Sequence, residues 1–149
     1  MLAEALFCLA LNAYWEARNQ DMEGMIAVSQ VVVNRVESEY YPDDICDVVY
    51  QGPTRPSWKN KNVEYPVRHR CQFSWYCDGK SDDVLVGDEE AWEMARLAAF
   101  GVYFNKVENK VGDALWYHAD YVTPGWADHK QETARIGNHI FYEWKNGTQ

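Results

Sequence analysis

The sequence predicts an α+β domain that is mainly helical and carries a small β-sheet or hairpin. Two stretches with apolar residues at helical spacing open the chain, and a third lies at Glu89–Asn105. Two short aromatic segments near the carboxyl end have the length and composition of strands. At 149 residues the chain can bury a hydrophobic core and still carry a cleft, so we assign residues 1–149 to a single domain.

The first two helices follow from apolar spacing and from the break between them. The apolar positions of the first helix are Leu2, Ala5, Leu6, Leu9 and Ala13. This helix is predicted to end near Arg18, where Asn19 offers a break and Asp21 an N-cap. The second helix then runs from Met25 to Val36; the run Val31–Val33 would suit a strand equally well, but the length of the pattern favours a helix.

The middle of the chain is predicted to be irregular. Four of the five prolines lie between residues 40 and 87, where a short hairpin is expected around Cys71–Asp78. Asp88 is predicted to cap the helix at Glu89–Asn105. Strands at Ala114–Ala119 and His139–Trp144 follow, with one more helix expected near Asp128–Ile136.

Charge and hydropathy exclude two classes of partner. A net charge of −9 argues against nucleic acid, and the basic segment from Arg55 to Arg70 does not reverse this, because Glu64 and several aromatic residues interrupt it. No window approaches the roughly 20 apolar residues of a membrane span. The amino-terminal segment lacks the basic region of a signal peptide and carries Glu4 inside its apolar run. We therefore interpret it as the first helix of the domain. We expect a monomer with no membrane insertion.

The four cysteines differ in their surroundings. Cys46, Cys71 and Cys77 lie in polar, loop-like sequence, and we expect one disulfide among them. Cys8 lies on an apolar helix face and is predicted to be a small buried hydrophobe. Zinc binding is the competing interpretation, which the absence of a C-x-x-C pair disfavours.

Glu16 is the candidate catalytic residue. It follows Tyr14 and Trp15 at the end of the first helix, and rings beside a carboxyl remove water and raise its pKa. A general acid for glycosidic cleavage needs such a pKa. The alternative is a surface Glu paired with Arg18. Seven Trp and ten Tyr against five Phe also suit sugar surfaces, since most of these rings carry a polar group.

Four blocks of sequence specify a family. They are Tyr14–Arg18 with Glu23–Gly24, Ala27–Val28 and Val33–Val36; Cys71–Trp75 with Cys77–Gly79; Trp116–Ala119 with Val122, Pro124 and Trp126–Ala127; and Ile136–His139 with Phe141–Tyr142. In this order the blocks resemble the SleB-type cell-wall hydrolases, the spore-cortex-lytic enzymes with their phage and Gram-negative relatives. Asn19 departs from the Gly or Ser usual after the Arg, which affects the turn and not the chemistry.

The resemblance implies a lysozyme-like fold with Glu16 as the one catalytic glutamate and no cofactor. It also implies cleavage of peptidoglycan between N-acetylmuramic acid and N-acetylglucosamine, as a lytic transglycosylase. A two-carboxylate muramidase is the alternative, with Glu23, Asp78 or Asp120 as the second acid. Such an enzyme acts at the bacterial wall, in the periplasm or outside the cell, and we expect a phage-made membrane lesion or a virion to deliver it.

Substrate-binding residues are expected in two of the blocks. Gln72, Phe73, Ser74 and Trp75 offer an amide, a hydroxyl and aromatic rings, although core packing is an equal interpretation of Trp75. Strand alternation places Tyr117 and His118 on opposite faces, so one should line the cleft while the other packs inward. Asn34 and Arg35 are interpreted as structural, with Arg35 holding a carboxylate or capping carbonyls.

Two other functions are compatible with the sequence. His118, Asp120, His129 and His139 could form a zinc amidase site, but their spacing matches no familiar metal motif. The aromatic residues alone would also serve a wall-binding module without catalysis. We predict no metal site.

Overall fold

The computed structural model describes residues 2–145. Its helices are α1 (Leu2–Ala17), α2 (Met22–Glu37), α3 (Ile45–Val49) and α4 (Glu89–Tyr103). Its strands are β1 (Thr54–Pro56), β2 (Glu64–Pro66), β3 (Trp116–Ala119), β4 (Lys130–Ile136) and β5 (His139–Trp144). Short 3-10 helices span Ser74–Cys77 and Gly125–His129. The mainly helical α+β prediction is confirmed.

Helix α2 is the centre of the core. Every residue from Gly24 to Val32 is buried, so neighbours surround the helix on all sides. Asp21 caps it as predicted, its side chain accepting a hydrogen bond from the Gly24 amide at 3.2 Å. The run Val31–Val33 therefore lies in a helix, as the length of the pattern predicted. Packing of α1 and α4 against α2 buries its apolar side chains.

The three-stranded sheet has the order β3-β5-β4, and both pairings are antiparallel. Its inner face carries Tyr117 and Phe141, which pack onto the helical core. Its outer face carries the alternate residues, including His118 and Tyr142. One face of the sheet thus closes the core while the other faces away from it.

Two predictions about local structure were wrong. Residues 130–136 form strand β4, not a helix: they are rich in helix-favouring Lys, Gln, Glu, Ala and Arg, but pairing with β5 overrides that preference. The expected hairpin at Cys71–Asp78 is a 3-10 helix, and the hairpin that exists joins β1 to β2. Asp88 occupies the N-cap position of α4 as predicted, and its backbone carbonyl accepts from the Trp92 amide at 3.1 Å. Its side chain makes no capping hydrogen bond and instead accepts one from the Tyr14 hydroxyl at 2.6 Å.

The cysteines form two disulfides, Cys8–Cys46 and Cys71–Cys77. The second pair is one that the sequence allowed. The prediction for Cys8 was wrong: the residue is buried, but it is bonded to Cys46 on α3, a helix that the sequence pattern did not reveal. Within residues 2–145, no helix has the length and apolar character needed to cross a bilayer.

Candidate active site

Glu16 lies in the last turn of α1, half-buried beneath the sheet. Its Oε1 accepts a hydrogen bond from the Tyr117 hydroxyl. Burial raises the pKa of the Glu16 carboxyl, while the Tyr117 hydrogen bond and the positive charge of Arg35 act in the opposite direction. Burial is the largest of these effects, so the carboxyl holds its proton to a higher pH than an exposed glutamate does.

Tyr117 is held in place from three sides. Its ring packs against His139 and Phe141 at centroid distances of 4.9 and 5.4 Å, and it lies 6.5 Å from Phe73. Burial and the neighbouring Glu16 charge hold the pKa of Tyr117 well above its usual value. The phenol therefore keeps its proton and serves as a fixed hydrogen-bond donor to Glu16.

Arg35 fixes a positive charge beside the site. Its Nε donates to the Leu115 carbonyl at 2.7 Å, and the guanidinium lies between the rings of Tyr41 and Phe73 at 4.8 and 5.1 Å. This bears out the structural interpretation, since Arg35 caps a carbonyl before β3. Its neighbour Asn34 does the same, with Nδ2 donating to carbonyls of the preceding loop at 3.0 and 2.9 Å.

The segment Gln72–Trp75 divides between surface and core. Gln72 and Ser74 are exposed, and Gln72 Oε1 accepts from Arg35 at 3.5 Å. Phe73 and Trp75 are 3% and 6% exposed, and both belong to the hydrophobic core. Direct contact of these two rings with a substrate is therefore not supported, and core packing is the better interpretation.

Trp75 is anchored by a polar side chain of α1. Its indole Nε1 donates to Asn12 Oδ1 at 2.8 Å, and Asn12 is fully buried. Asn12 lies one helical turn before Glu16, so the two face the same side of α1. The Trp75 anchor thus fixes the 3-10 helix against the helix that carries Glu16.

His118 lies on the sheet face opposite Tyr117. Its Nε2 is 2.8 Å from the Tyr142 hydroxyl, and its ring meets Trp126 edge-on at 5.7 Å. This side of the sheet borders a polar cavity of about 480 Å³ that also includes Asp120 and Arg135. Of the predicted pair, Tyr117 faces Glu16 and His118 does not.

The carboxylates considered as a second acid have partners other than Glu16 or are exposed to solvent. Glu23 approaches Lys110 at 3.8 Å, and Asp78 accepts a hydrogen bond from the Lys80 amide at 2.9 Å. Asp120 is exposed at the end of β3. Among residues 2–145, the groups whose charge or hydrogen bonding shifts the pKa of Glu16 are Tyr117 and Arg35, with no carboxylate among them.

The proposed zinc ligands are not assembled. No group of three His, Cys, Asp or Glu side chains within residues 2–145 is arranged to hold a metal ion. His118 points outward, whereas His139 is buried on the inner face with Nδ1 at 3.2 Å from Gln20 Nε2. Burial lowers the pKa of His139, which favours the neutral ring.

Sequence reasoning missed the support behind Tyr117. Gln20 Nε2 donates to Asn138 Oδ1 at 2.7 Å, and it also contacts His139, on which the Tyr117 ring packs. Gly137 permits this contact, because a Cβ there would lie 1.9 Å from Gln20 Oε1 and the backbone has φ +59°. The sequence block Ile136–His139 was the available signal, but it did not indicate that its partner is the turn after α1.

Comparison with known proteins gives one family and one fold. The family described as Cell Wall Hydrolase matches residues 19–142, a range that begins just after Glu16. The chain is 26% identical over 133 residues to a spore cortex-lytic enzyme of Halalkalibacterium halodurans, covering 89% of this chain and 33% of that protein. It is 27% identical over 136 residues to the spore cortex-lytic enzyme of Bacillus subtilis, covering 91% and 36%. The chain thus spans about a third of the length of these relatives.

Two solved structures share the fold. The catalytic domain of the germination-specific lytic transglycosylase SleB from Bacillus anthracis aligns with a TM-score of 0.63 at 24% identity, covering 93% of both chains. The catalytic domain of the Bacillus cereus SleB protein aligns with a TM-score of 0.63 at 22% identity, covering 93% of this chain and 89% of that one. The fold expected from the sequence resemblance is therefore confirmed.

Proposed function

Because the chain belongs to the cell wall hydrolase family, we propose that it cleaves the glycan strand of peptidoglycan with Glu16 as its catalytic acid. The bond cut is the one between N-acetylmuramic acid and N-acetylglucosamine. The observation that carries the proposal is the carboxyl of Glu16, buried so that its pKa is raised and hydrogen-bonded to Tyr117. A protonated carboxyl near neutral pH is what protonation of a glycosidic oxygen requires.

Tyr117 and Arg35 act after the proton has been given away. When Glu16 transfers its proton to the leaving oxygen, the remaining carboxylate is partly buried and would be unstable alone. The Tyr117 hydroxyl and the Arg35 charge stabilise that carboxylate, as their lowering effect on the pKa of Glu16 indicates. Burial and the two stabilising groups together keep the carboxyl able to give a proton and to take one back.

We assign the reaction to the lytic transglycosylases. In that reaction the 6-hydroxyl of the muramic acid residue attacks C1 of the same sugar, and the Glu16 carboxylate accepts the hydroxyl proton. One carboxyl therefore serves as acid and then as base. A retaining hydrolase would need a second carboxylate about 5 Å away, and an inverting one a base farther off to hold a water. Glu23 pairs with the Lys110 ammonium, and Asp78 accepts from the Lys80 backbone amide. Within residues 2–145 no carboxylate shifts the pKa of Glu16, which also supports the single-acid route.

The substrate-facing residues are proposed to be Gln72, Ser74 and Tyr117. Gln72 and Ser74 are exposed polar groups, suited to acetamido and hydroxyl groups, and Gln72 bonds to Arg35. Phe73 and Trp75 are assigned to supporting this surface from the core. His118 would meet a glycan strand only on the outer face of the sheet.

The site of action is proposed to be the cell wall, in the periplasm or outside the cell. Two disulfides support this, because such bonds persist in oxidising compartments. We further propose that residues 1–149 act as one monomeric domain and that a phage-made membrane lesion or a virion brings it to the wall.

The test is the variant Glu16→Gln, assayed on purified peptidoglycan with mass spectrometry of the released fragments. Glutamine keeps the size of the side chain but has no transferable proton, so lysis should fall by at least about a hundredfold. The released fragments of the unmodified protein should end in 1,6-anhydromuramic acid. Glu23→Gln is the matched control, since this exposed carboxylate is removed without touching the site, and it should retain substantial activity.

Three outcomes would count against the proposal. A Glu16→Gln protein that clears peptidoglycan at a near-normal rate removes the catalytic assignment. Ordinary reducing ends, together with loss of lysis in Glu23→Gln, Asp78→Asn or Asp120→Asn, would identify a two-carboxylate muramidase. Release of peptides without glycan cleavage would identify an amidase.

A further inference from the structure

The hairpin formed by β1 and β2 concentrates positive charge on an acidic protein. We call residues 53–70 the basic hairpin. It holds five of the 14 Lys and Arg residues of the chain but one of the 23 Asp and Glu residues. The five cationic residues are Arg55, Lys59, Lys61, Arg68 and Arg70, and all are exposed. Such a cluster attracts anions locally even though the protein as a whole carries a charge of −9.

The basic hairpin also exposes the largest aromatic side chain of its loop. Trp58 is 86% exposed, with the Lys59 ammonium 5.4 Å from the ring centre. The loop around it is shaped by hydrogen bonds, including Ser57 N to the Val63 carbonyl at 2.7 Å and Asn62 N to Asn60 Oδ1 at 3.0 Å. An ordered turn thus presents an indole and several cations together, which is typical of a binding surface and not of a simple connection.

The exposed cations and Trp58 of the basic hairpin make no visible contribution to its folding. Its two strands pair with each other alone, and residues 53–70 contribute nothing to either hydrophobic core cluster within residues 2–145. None of its five cationic residues forms an ion pair in that part of the chain. An isolated two-stranded hairpin is marginally stable. Its charges and its tryptophan are therefore available to a partner.

The base of the hairpin is attached next to the candidate active site. Backbone hydrogen bonds of 2.9 Å join Val67 N to the Pro53 carbonyl and Gln72 N to the Gln51 carbonyl. The Cys71–Cys77 disulfide lies at this base, where Gly52 leaves no room for a Cβ. Gln72 follows directly and bonds to Arg35, whose charge acts on Glu16. The base of the hairpin is thus connected to the candidate site through Gln72 and Arg35.

We propose that the basic hairpin binds the carboxylates of the peptides attached to the glycan strand, at a distance from the bond that is cut. This rests on the proposed function, because it deepens the substrate class of the same site. In peptidoglycan, short peptides are attached through the lactyl group of N-acetylmuramic acid, and these peptides bear free carboxylates. Lys and Arg side chains pair with them, while Trp58 packs on the sugar or on the peptide. Binding of the substituent peptides would offset the repulsion between an acidic enzyme and an anionic wall.

The test measures binding of the protein to insoluble peptidoglycan by sedimentation. One set of sacculi retains its peptides, and a second has had them removed by an amidase. Lys59→Gln with Lys61→Gln should weaken binding to the first set about fivefold at low salt, at about 0.5 kcal/mol for each exposed charge. The loss should disappear near 1 M salt and on the stripped sacculi. Trp58→Ala should weaken binding at both salt concentrations.

Controls separate this proposal from the one on which it rests. Arg96→Gln with Lys106→Gln removes the same charge from exposed positions on and after α4, and it should bind like the unmodified protein. Glu16→Gln should lose lysis but keep binding and its dependence on Lys59 and Lys61. If Glu16→Gln loses lysis while the lysine variant binds sacculi as the unmodified protein does, the basic hairpin proposal is wrong and the catalytic one stands.

Two further outcomes would overturn the proposal. An equal loss on peptide-bearing and stripped sacculi would mean that peptide carboxylates are not the target. The lysine variant could instead bind sacculi normally but bind vesicles of anionic phospholipid less tightly than the unmodified protein does. If the unmodified protein also fails to bind neutral vesicles, the hairpin would be assigned to a membrane surface. Circular dichroism of each variant confirms that the fold is kept.

Discussion

Replacing Tyr117 by phenylalanine should move the pH dependence of the reaction to higher pH. The change deletes the hydroxyl that donates to Glu16 and leaves the ring to pack on His139 and Phe141. That hydrogen bond stabilises the charged form of the carboxyl and lowers its pKa, so its loss raises the pKa. Since the protonated carboxyl is the acid, activity should then persist to higher pH.

The size of the shift follows from the strength of the lost bond. A hydrogen bond to a charged group contributes about 1.5–3 kcal/mol. One pKa unit corresponds to 1.36 kcal/mol, so the alkaline limb should move up by about 1–2 units. Arg35 remains in place and continues to favour the carboxylate, which limits the change. The maximal rate should fall as well, because the carboxylate formed during proton transfer loses a stabilising donor.

The assay is the initial rate of peptidoglycan clearing at limiting substrate, which follows kcat/KM, measured across the pH range in which the fold is intact. Tyr103→Phe is the matched control: this tyrosine lies at the end of α4, and losing its hydroxyl should leave the profile unchanged. An alkaline limb that stays in place in Tyr117→Phe, or moves to lower pH, would refute the reasoning. Glu16 would then not be the group that the limb reports.

Two other expectations can be checked directly. Replacing both cysteines of Cys8–Cys46 by alanine should lower the free energy of unfolding by about 4 kcal/mol, and the same change at Cys71–Cys77 by about 2 kcal/mol. The difference is expected because the two bridges span 38 and 6 residues. Urea titrations that give the reverse order would contradict this. Dialysis against EDTA should leave lysis intact, since no metal ligand set occurs within residues 2–145; complete loss that zinc restores would favour a histidine metal site.

The helices were predictable because their information is local. The apolar spacing of α1 and the Asp21 cap of α2 each lie within a few residues of the structure they specify. The raised pKa of Glu16 was predictable in direction for the same reason. The sequence placed Tyr14 and Trp15 beside it, but the structure shows that the hydrogen-bonding partner is Tyr117, 101 residues away.

Strand β4 and the Cys8–Cys46 bond were not predictable from local pattern. The side chains of residues 130–136 favour a helix, and only pairing with β5 makes them a strand. Cys8 lies on an apolar helix face, and only the packing of α3 against α1 brings Cys46 to a Cα separation of 5.3 Å. The same holds for Phe73 and Trp75, whose inward direction depends on Arg35 and Asn12.

The family, the helical framework and the identity of the acid proposed here all follow from the order of amino acids alone. These depend on residue types in order along the chain and on neighbours within a helical turn. The folded arrangement was needed to show that Tyr117, and not His118, faces Glu16 and that the Arg35 charge acts on it. It was also needed to show that the basic segment forms a hairpin whose base lies near the site. Those features arise where elements distant in sequence meet, because the burial of a side chain and the charges near it depend on all the elements that pack around it.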